Sequence, residues 1–460
     1  MACGLIAAVV LSPRGASAQG YGVYEQGACV MGRAGTGVAS ACADGSSIFF
    51  NPAGIAGTTR QQLSVGGTLI APSGTFTNDL SGFESSLKKA VYPVPNLYYV
   101  RPVGGGRASL GLGVFAPYGL TTEWNDDFEG RFLGYKSRIA AIYIQPTAAF
   151  KLGPRVSFGA GFDLSLVKVQ LRQRADLSTQ IAKAPFTTFA NLGIASGTDF
   201  ADVNLNGSST GMGYHLGLMI EPVDHLSFGA RYLSRQLVKF DDAKATITQV
   251  PTNITLAANN PITLNPATGT GPAIALDDLL AAQFQPGGLL VDQTGVTYLR
   301  LPEQLVLGTA WQATPKAKLL FDFQYTNWTT FNQLALDFEL LPARTLREAF
   351  RKSYGFRFGG EYALSEGTTV RAGYYTHGAA APAETVTPNL PEGPRNSATI
   401  GLGTNLMRNM RVDLAYQYID QANRRGRSID GGTTEPTAAV NNGLYKFHAH
   451  LVGATFAFAF

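Results

Sequence analysis

The feature of this sequence that most limits its fold is a two-residue alternation of apolar with small or polar side chains. In residues 156–166, valine, phenylalanine, alanine and leucine alternate with glycine, serine and one aspartate. Alternation with this period predicts strands whose two faces meet different surroundings. It fits a soluble sandwich, whose apolar face points inward, and equally a membrane barrel, whose apolar face points at lipid.

Fourteen segments carry this alternation, and the connections between them differ systematically in length. The predicted strands are 60–71, 91–102, 107–116, 135–152, 155–175, 203–222, 225–250, 295–313, 316–340, 350–364, 368–377, 395–406, 410–422 and 444–460. Short turns, such as 104–106 and 153–154, alternate with long loops, such as 176–202 and 251–294. Short turns at one rim and long loops at the other are typical of outer-membrane barrels, and an even strand count brings both chain ends to the periplasmic rim.

Composition narrows the class of protein further. Charged residues make up 15% of the chain, whereas soluble domains have roughly 25%. Because no run approaches the roughly 18 consecutive apolar residues of a membrane helix, a polytopic helical membrane protein is excluded. A net charge of +4 over 460 residues gives no reason to expect a nucleic-acid partner. We therefore expect an all-β chain.

The N-terminal residues predict export from the cytoplasm. Residues 4–11 form a short apolar core, and Ala16-Ser17-Ala18 matches the small-residue pattern of a cleavage site. We expect residues 1–18 to be a signal peptide. Cys29 and Cys42 would then enter an oxidising compartment together, although the sequence leaves open whether they form a disulfide.

The last predicted strand favours the membrane barrel over the sandwich. Its apolar set spans nine residues, close to the ~9–11 that a tilted strand needs to cross a bilayer, and consists of Val452, Ala454, Phe456, Phe458 and Phe460. The final aromatic residue resembles the C-terminal signal that the barrel-assembly machinery of Gram-negative bacteria reads. Residues 19–58 lack this alternation and are rich in glycine and alanine. Since a barrel of this size has a wide lumen, we expect residues 19–58 to form a hatch inside a barrel of residues 59–460.

Short motifs in both parts carry a family resemblance. They are Glu25, Gly32-Arg33-Ala34, Asp44 and Asn51-Pro52-Ala53 in the hatch, then Val94-Pro95-Asn96-Leu97-Tyr98-Tyr99-Val100, Pro117-Tyr118-Gly119-Leu120, Leu301-Pro302-Glu303 and Tyr325-Thr326-Asn327-Trp328 in the barrel. In this order they resemble the long-chain fatty acid transporter (FadL-type) family of outer-membrane proteins over nearly the whole predicted mature chain.

The resemblance implies a 14-stranded antiparallel transmembrane β-barrel plugged by an N-terminal hatch, with the hatch and both termini at the periplasmic side of a Gram-negative outer membrane. It implies passive uptake of hydrophobic small molecules, either long-chain fatty acids or aromatic hydrocarbons, without a cofactor. We also expect a monomer that contacts outer-membrane lipid and lipopolysaccharide. A general porin and a structural or adhesin barrel remain alternatives, although an internal plug is superfluous in a porin.

The same resemblance implies a route for lateral release through an inward kink of the third strand. The matching residues are Ala116, Pro117, Tyr118 and Gly119. Proline cannot donate a hydrogen bond to a strand ladder, which agrees with a kink there. The alternative is that Pro117 simply ends the strand.

Other family positions fall on Asn51, Pro52 and three arginines. Asn51 and Pro52 match a hatch motif that lies beside the lateral opening in the family, or they form a purely structural turn. Arg351, and Arg172 or Arg174, match lumenal basic residues and would bind a carboxylate, unless they pair with neighbouring acids. The long loops also carry apolar residues, including Phe186, Phe189 and Leu280, which either gather ligand or pack on one another.

An enzyme has little support in the sequence. The chain has five histidines, and none lies in an H-E-x-x-H motif. A G-x-S-x-G match at residues 207–211 lies inside the predicted strand 203–222 and not at the strand-to-helix turn of a nucleophile elbow, and we find no phosphate-binding loop. We expect no catalytic residues and no metal site.

Overall fold

The computed structural model of this chain describes residues 20–183, 187–426 and 441–460. The predicted signal peptide and Phe186 lie outside these ranges. Within them, no helix combines the length and the apolar character needed to cross a membrane.

The wall is a closed barrel of antiparallel strands. In chain order these are β1 (Gln62–Asn78), β2 (Tyr92–Val103), β3 (Ala108–Glu123), β4 (Lys136–Lys151), β5 (Val156–Asp176), β6 (Asp199–Val223), β7 (Leu226–Leu233 and Gln236–Gln249), β8 (Gln293–Leu301 and Gln304–Gln312), β9 (Ala317–Asn327 and Gln333–Phe338), β10 (Arg344–Arg347 and Lys352–Ala363), β11 (Thr368–His377), β12 (Arg395–Met407), β13 (Met410–Arg425) and β14 (Gly443–Ala459). β1 pairs with β14 from Gln62↔Ala459 to Asn78↔Gly443, which closes the ring. The prediction of a 14-stranded antiparallel barrel is confirmed.

The two faces of the wall differ as the alternation predicts. On the outer face, Phe162, Met212 and Ile400 are 75%, 78% and 61% exposed. In β14, Val452 and Phe456 point outward, whereas Gly453 and Thr455 are buried against the interior. An apolar outer face suits lipid rather than water, so the apolar side chains face outward as in a membrane barrel.

The long loops carry their own small elements. These are the strands Glu84–Ser86, Ile181–Lys183, Thr187–Thr188, Thr255–Leu256 and Ile274–Ala275, helix Leu276–Ala281, and 3₁₀ turns Glu129–Phe132, Leu177–Thr179, Ala190–Leu192, Ala282–Phe284 and Ala383–Thr385. A further 3₁₀ turn, Trp328–Thr330, lies in the break of β9. The two longest loops share an apolar cluster that includes Phe189, Leu276 and Leu280. Because these side chains are buried against one another, the self-packing alternative describes them.

The hatch fills the lumen with short helical turns. They are α1 (Ala28–Met31), α2 (Ser47–Phe50) and the 3₁₀ turn Pro52–Ile55. Most hatch side chains are buried. Cys29 and Cys42, whose pairing the sequence left open, are joined by a disulfide within the hatch.

Polar side chains of the wall hold the hatch backbone. The Asp322 carboxylate accepts hydrogen bonds from the N–H groups of Gly37 and Val38 at 2.9 and 3.2 Å. The Thr399 hydroxyl accepts one from the N–H of Ala34 at 3.0 Å. Buried backbone groups need such partners, so these contacts fix the position of the hatch in the lumen.

Glycines on the inner face of the wall let the hatch approach closely. A Cβ atom at Gly229 of β7 would lie 2.0 Å from the carbonyl oxygen of Val38, and one at Gly373 of β11 would lie 2.7 Å from the Cβ of Ala34. A larger side chain at either position would therefore displace the hatch.

We predict that Gly229→Leu loosens the plug, because overpacking of this kind costs about 1–3 kcal/mol. The variant should melt at a lower temperature and show larger conductance in planar bilayers than the parent protein. Gly153→Leu is the matched control, since a Cβ at Gly153 meets open space. Equal conductance of the parent and Gly229→Leu proteins would contradict the plug.

Candidate functional site

The wall has a bounded opening between β2 and β3. These strands pair from Leu97↔Val114 to Val103↔Ala108. Beyond Val114 no strand pairing joins them within the described residues, although β2 stays paired with β1 as far as Tyr92. At the long-loop end the opening is closed by a bridge between Leu87 and Trp124.

A β-bulge at Pro117 turns β3 away from its neighbour. Phe115 lies opposite Tyr143 of β4, and Tyr118 lies opposite Ala141, so three steps along β3 match two along β4. One extra residue of this kind bends a strand and increases its twist. β3 then continues in register to Glu123, so Pro117 lies inside the strand and does not end it.

The hatch takes the place of β2 as the partner of the bent part of β3. The N–H of Val23 donates to the carbonyl oxygen of Pro117 at 2.8 Å, and the N–H of Gly119 donates to that of Tyr21 at 2.9 Å. The Gln26 side chain donates to the carbonyl oxygen of Ala116 at 2.7 Å and accepts from its N–H at 3.2 Å. The backbone N–H and C=O groups of the kink thereby find hydrogen-bond partners without β2.

The edge of β2 that faces the opening carries residues that do not need a partner strand. Pro93 and Pro95 occupy this edge and have no N–H to donate. Asn96 points inward and is 3% exposed, and its amide nitrogen and oxygen have no protein partner in the part of the chain that the structure describes. Few backbone N–H groups on the β2 edge of the opening therefore lack a hydrogen-bond acceptor.

A chain of buried aromatic rings leads to this opening from the long-loop end of the lumen. Successive ring centroids lie 5.0, 5.5, 4.6, 6.2, 6.0 and 6.4 Å apart along Phe350, Phe331, Tyr21, Trp328, Tyr118, Tyr143 and Phe115. Tyr21 belongs to the hatch, whereas Tyr118 and Phe115 flank the bulge of β3. This aromatic track connects the hatch, the kink and the lumen in one apolar surface.

Tyr118 is tied to the opposite wall by hydrogen bonds. Its hydroxyl donates to the carbonyl oxygen of Pro302 at 2.8 Å and accepts from the Gln304 amide at 2.9 Å. The same Gln304 accepts from Arg231 at 3.1 Å. The kink residue is thus held in place from inside the lumen as well as by the hatch.

Arg231 is a buried cation that the sequence analysis missed. It is 1% exposed, it donates to the Tyr24 hydroxyl at 2.9 Å, and its guanidinium carbon lies 4.2 Å from the centre of the Phe49 ring. Its Nε and Nη2 atoms, the edge with which arginine binds a carboxylate at two points, have no protein partner within the described ranges. It shares the inner face of β7 with Gly229 and Leu233, two positions away on either side, and this spacing is the signal that marks it as lumenal.

The arginines that the family resemblance indicated do not converge. In β5, Arg172 and Arg174 alternate with Val169 and Leu171, which pack against the interior, so both arginines lie on the outer face. They pair with Asp202 at 2.6 and 3.8 Å. Their expected place in the lumen is therefore corrected. Arg351 is exposed in the break of β10, far along the chain from both.

Asn51 and Pro52 lie against the wall on the side of β6. The Asn51 amide donates to the carbonyl oxygens of Val38 and Leu218 at 2.6 and 3.0 Å, and its side-chain oxygen accepts from the N–H of Ala53 at 3.1 Å. Pro52 begins the 3₁₀ turn. These contacts are those of a structural turn that docks the hatch.

A buried polar cluster in the wall has the form of a hydrolase triad. The Thr147 hydroxyl lies 2.9 Å from Nε2 of His215, and Nδ1 of His215 lies 2.5 Å from the Asp163 carboxylate. Gln145 also donates to Asp163 at 2.7 Å. All four side chains are buried against the lumen contents. The cluster is a polar network in which the lumen-facing side chains supply one another's hydrogen-bond partners.

Two polar cavities open at the short-turn end, one on each side of hatch residues 39–43. Their volumes are about 390 and 320 Å³. Arg371 and Arg411 line the first, and Lys151 and Lys318 line the second. Charged linings suit water rather than an apolar ligand. The apolar side chains of the lumen are those of the aromatic track, not those that line these cavities.

Glu348 lies beside the aromatic track, in the break of β10 near the long loops. It is 7% exposed, and its Oε2 atom has no protein partner among the described residues. Burial raises the pKa of the Glu348 carboxyl to about 8. At neutral pH the side chain is therefore mostly protonated, which suits its apolar surroundings.

Comparison with known proteins gives matches over nearly the whole chain. The model of a family described as outer membrane protein transport protein (OMPP1/FadL/TodX) matches residues 9–460. A long-chain fatty acid transport protein of Escherichia coli is 26% identical over 475 residues, which cover 99% of this chain and 98% of the relative.

Solved structures share the fold at lower identity. A FadL homologue of Pseudomonas aeruginosa superposes with a TM-score of 0.76 at 18% identity, covering 96% of this chain and 99% of that chain. The P. putida toluene transporter TodX superposes with a TM-score of 0.66 at 16% identity, again covering 96% and 99%.

We predict that Glu348 makes stability depend on pH. Its pKa is about 8 in the folded protein and about 4.3 when unfolded, so its contribution is complete below about pH 4 and is lost as the pH rises towards 8. Between pH 5 and pH 9, the melting temperature of Glu348→Gln should therefore fall less than that of the parent. The exposed Glu384 provides the control variant Glu384→Gln, and parallel melting curves for all three proteins would refute the assignment.

Proposed function

The chain belongs to the outer membrane protein transport protein family (OMPP1/FadL/TodX), and on this premise we propose that it takes up hydrophobic small molecules passively and releases them sideways into the membrane. The E. coli relative is named for long-chain fatty acids and the P. putida structure for toluene. We propose a substrate from these two chemical groups.

The opening between β2 and β3 is the observation that carries this proposal. A ligand that follows the aromatic track passes from Phe331 to Tyr118 and reaches the wall where β3 bends inward. From there it leaves between Asn96 and Phe115 without crossing the polar cavities below the hatch. Each buried CH₂ group gains about 0.8 kcal/mol on leaving water, so partition into lipid can drive the transfer without energy coupling.

The position of the hatch inside the lumen supports this route and disfavours a general porin. Its backbone is hydrogen-bonded to the wall through Asp322 and Thr399, and its rings fill the centre of the lumen. An open aqueous path for hydrophilic solutes needs that space. A structural or adhesin barrel needs neither an aromatic track nor an opening in the wall.

We further propose the orientation and partners of the barrel. The short turns, hatch residues 39–43 and the C-terminal end of β14 face the periplasm, and the long loops face outward. The first described residue of the hatch departs from the expected periplasmic position, because the N–H of Gly20 donates to Glu392 in the long loop 378–394 at 3.2 Å. Phe460, whose N–H donates to the carbonyl oxygen of Gln61 at 2.9 Å, follows β14, the strand that we propose the assembly machinery reads. We also propose that the barrel functions as a monomer, since β1 and β14 close the wall within one chain and no strand from a second copy is needed to complete it.

Deletion of Pro117 is the sharpest test of the route. Removing this residue leaves Ala116 opposite Ile142 and keeps Tyr118 opposite Ala141, so the bulge disappears and the rest of β3 stays in register. A straight β3 can pair with β2 and close the opening. We expect uptake of labelled oleate or toluene to fall about tenfold or more, as expected when a ligand's only exit is closed.

Pro117→Ala is the matched control, because it keeps the extra residue and hence the bulge. Equal amounts of folded barrel in the outer membrane must be verified for both variants by their migration before and after heating. Undiminished uptake by the deletion variant would eliminate lateral release through this opening. Loss of uptake in both variants would show that uptake does not depend on the bulge.

A further inference from the structure

The outer face of the wall carries a compact group of cations on β4 and β5. The members of this β4–β5 cationic cluster are Lys136, Arg138, Lys168, Arg172 and Arg174. All five lie at even-numbered positions, whereas the odd-numbered Ser137, Ala141 and Val167 face the interior and are buried. The cluster is therefore directed away from the lumen.

Strand register brings these cations together. Lys136 lies opposite Arg172, and Arg138 lies opposite Gln170, which makes Arg138 a diagonal neighbour of both Lys168 and Arg172. Diagonal neighbours on one face of an antiparallel pair are about 7–8 Å apart, within reach of long side chains. Like charges at such positions repel one another unless an anion lies between them.

The cluster begins where the apolar band of the wall ends. Further from the long loops, the outward residues of the same strands are apolar, and Ile142, Phe162 and Leu166 are 42%, 75% and 43% exposed. Lys168 follows Leu166 at the next outward position. In a bilayer this level corresponds to the lipid headgroups of the leaflet on the long-loop side.

Protein acids neutralise only part of the cluster. Glu123 pairs with Lys136 at 2.8 Å, and Asp202 pairs with Arg172 at 2.6 Å and with Arg174 at 3.8 Å. Arg138 and Lys168 are exposed and have no acidic partner within 20–183, 187–426 and 441–460. Two neighbouring cations at headgroup level thus lack a counter-ion from the protein.

We propose that the β4–β5 cationic cluster is a binding site for the phosphate groups of the outer-leaflet glycolipid, lipid A, with Arg138 and Lys168 as its main contacts. A phosphate offers several acceptor oxygens, which match the guanidinium fork of Arg138 and the ammonium of Lys168. Basic clusters beside an apolar membrane surface attract anionic headgroups in this way.

The site lies beside the opening through which the ligand is proposed to leave. Arg138 pairs with Thr121 of β3, and Ala140 pairs with Gly119 in the kink. A glycolipid held at Arg138 and Lys168 therefore stands one strand away from the opening, in the leaflet that receives the ligand. The binding site itself does not depend on the proposed transport.

The test measures binding of purified lipid A to the whole protein in detergent by native mass spectrometry. The parent protein is compared with the double variant Arg138→Gln/Lys168→Gln, using diphosphorylated and dephosphorylated lipid A as probes. We expect the double variant to bind diphosphorylated lipid A about tenfold more weakly, and the parent to prefer the diphosphorylated probe by a similar factor.

Lys352→Gln/Lys446→Gln is the control variant, since these cations are exposed on β10 and β14, away from the cluster. It should bind both probes as the parent does, and heat-dependent migration should show that all three proteins are folded. Unchanged affinity of the Arg138→Gln/Lys168→Gln protein, or equal affinity of the parent for the two probes, would overturn the proposal.

Discussion

The whole arrangement depends on an exchange of backbone hydrogen bonds at the kink of β3. In lipid, an unpaired backbone group costs several kcal/mol, so a strand cannot simply leave a membrane barrel. Here the bulge at Pro117 turns β3 inward, and the hatch supplies partners through Tyr21, Val23 and Gln26. The opening in the wall and the plug in the lumen are therefore parts of one hydrogen-bonded structure.

This exchange explains why the hatch must fit closely. The hatch segment that pairs with β3 continues into residues 34–38, which a wall carboxylate and hydroxyl hold and to which inner-face glycines such as Gly229 give room. Tyr21 serves both functions, since its backbone pairs with β3 and its ring belongs to the aromatic track. On the proposed route, a ligand moving along the track passes the residue that stabilises the kink, so its passage would depend on the position of the hatch.

Much of the fold was predictable from local pattern, whereas the site was predictable only in part. The strands followed from period-two alternation, because that pattern reports directly which face meets lipid. The same alternation assigns Arg231 to the lumen and Arg172 to the outer face, so at Arg172 alternation is a better guide than the motif match. The pairing of Tyr21 with Gly119 joins residues almost a hundred positions apart, and no local signal encodes such a contact. Pro117 marked the kink, but only the register with β4 separates a bulge from a strand end.

The central claim is that ligand leaves through the wall between β2 and β3. The most direct measurement uses a photoreactive fatty acid in outer-membrane vesicles, followed by mass spectrometry of the cross-linked peptides. Lateral release predicts cross-links to both edges of the opening, at residues 92–96 of β2 and 115–118 of β3. Cross-links concentrated at hatch residues 39–43, beside the polar cavities of the periplasmic end, with none at those edges, would contradict it.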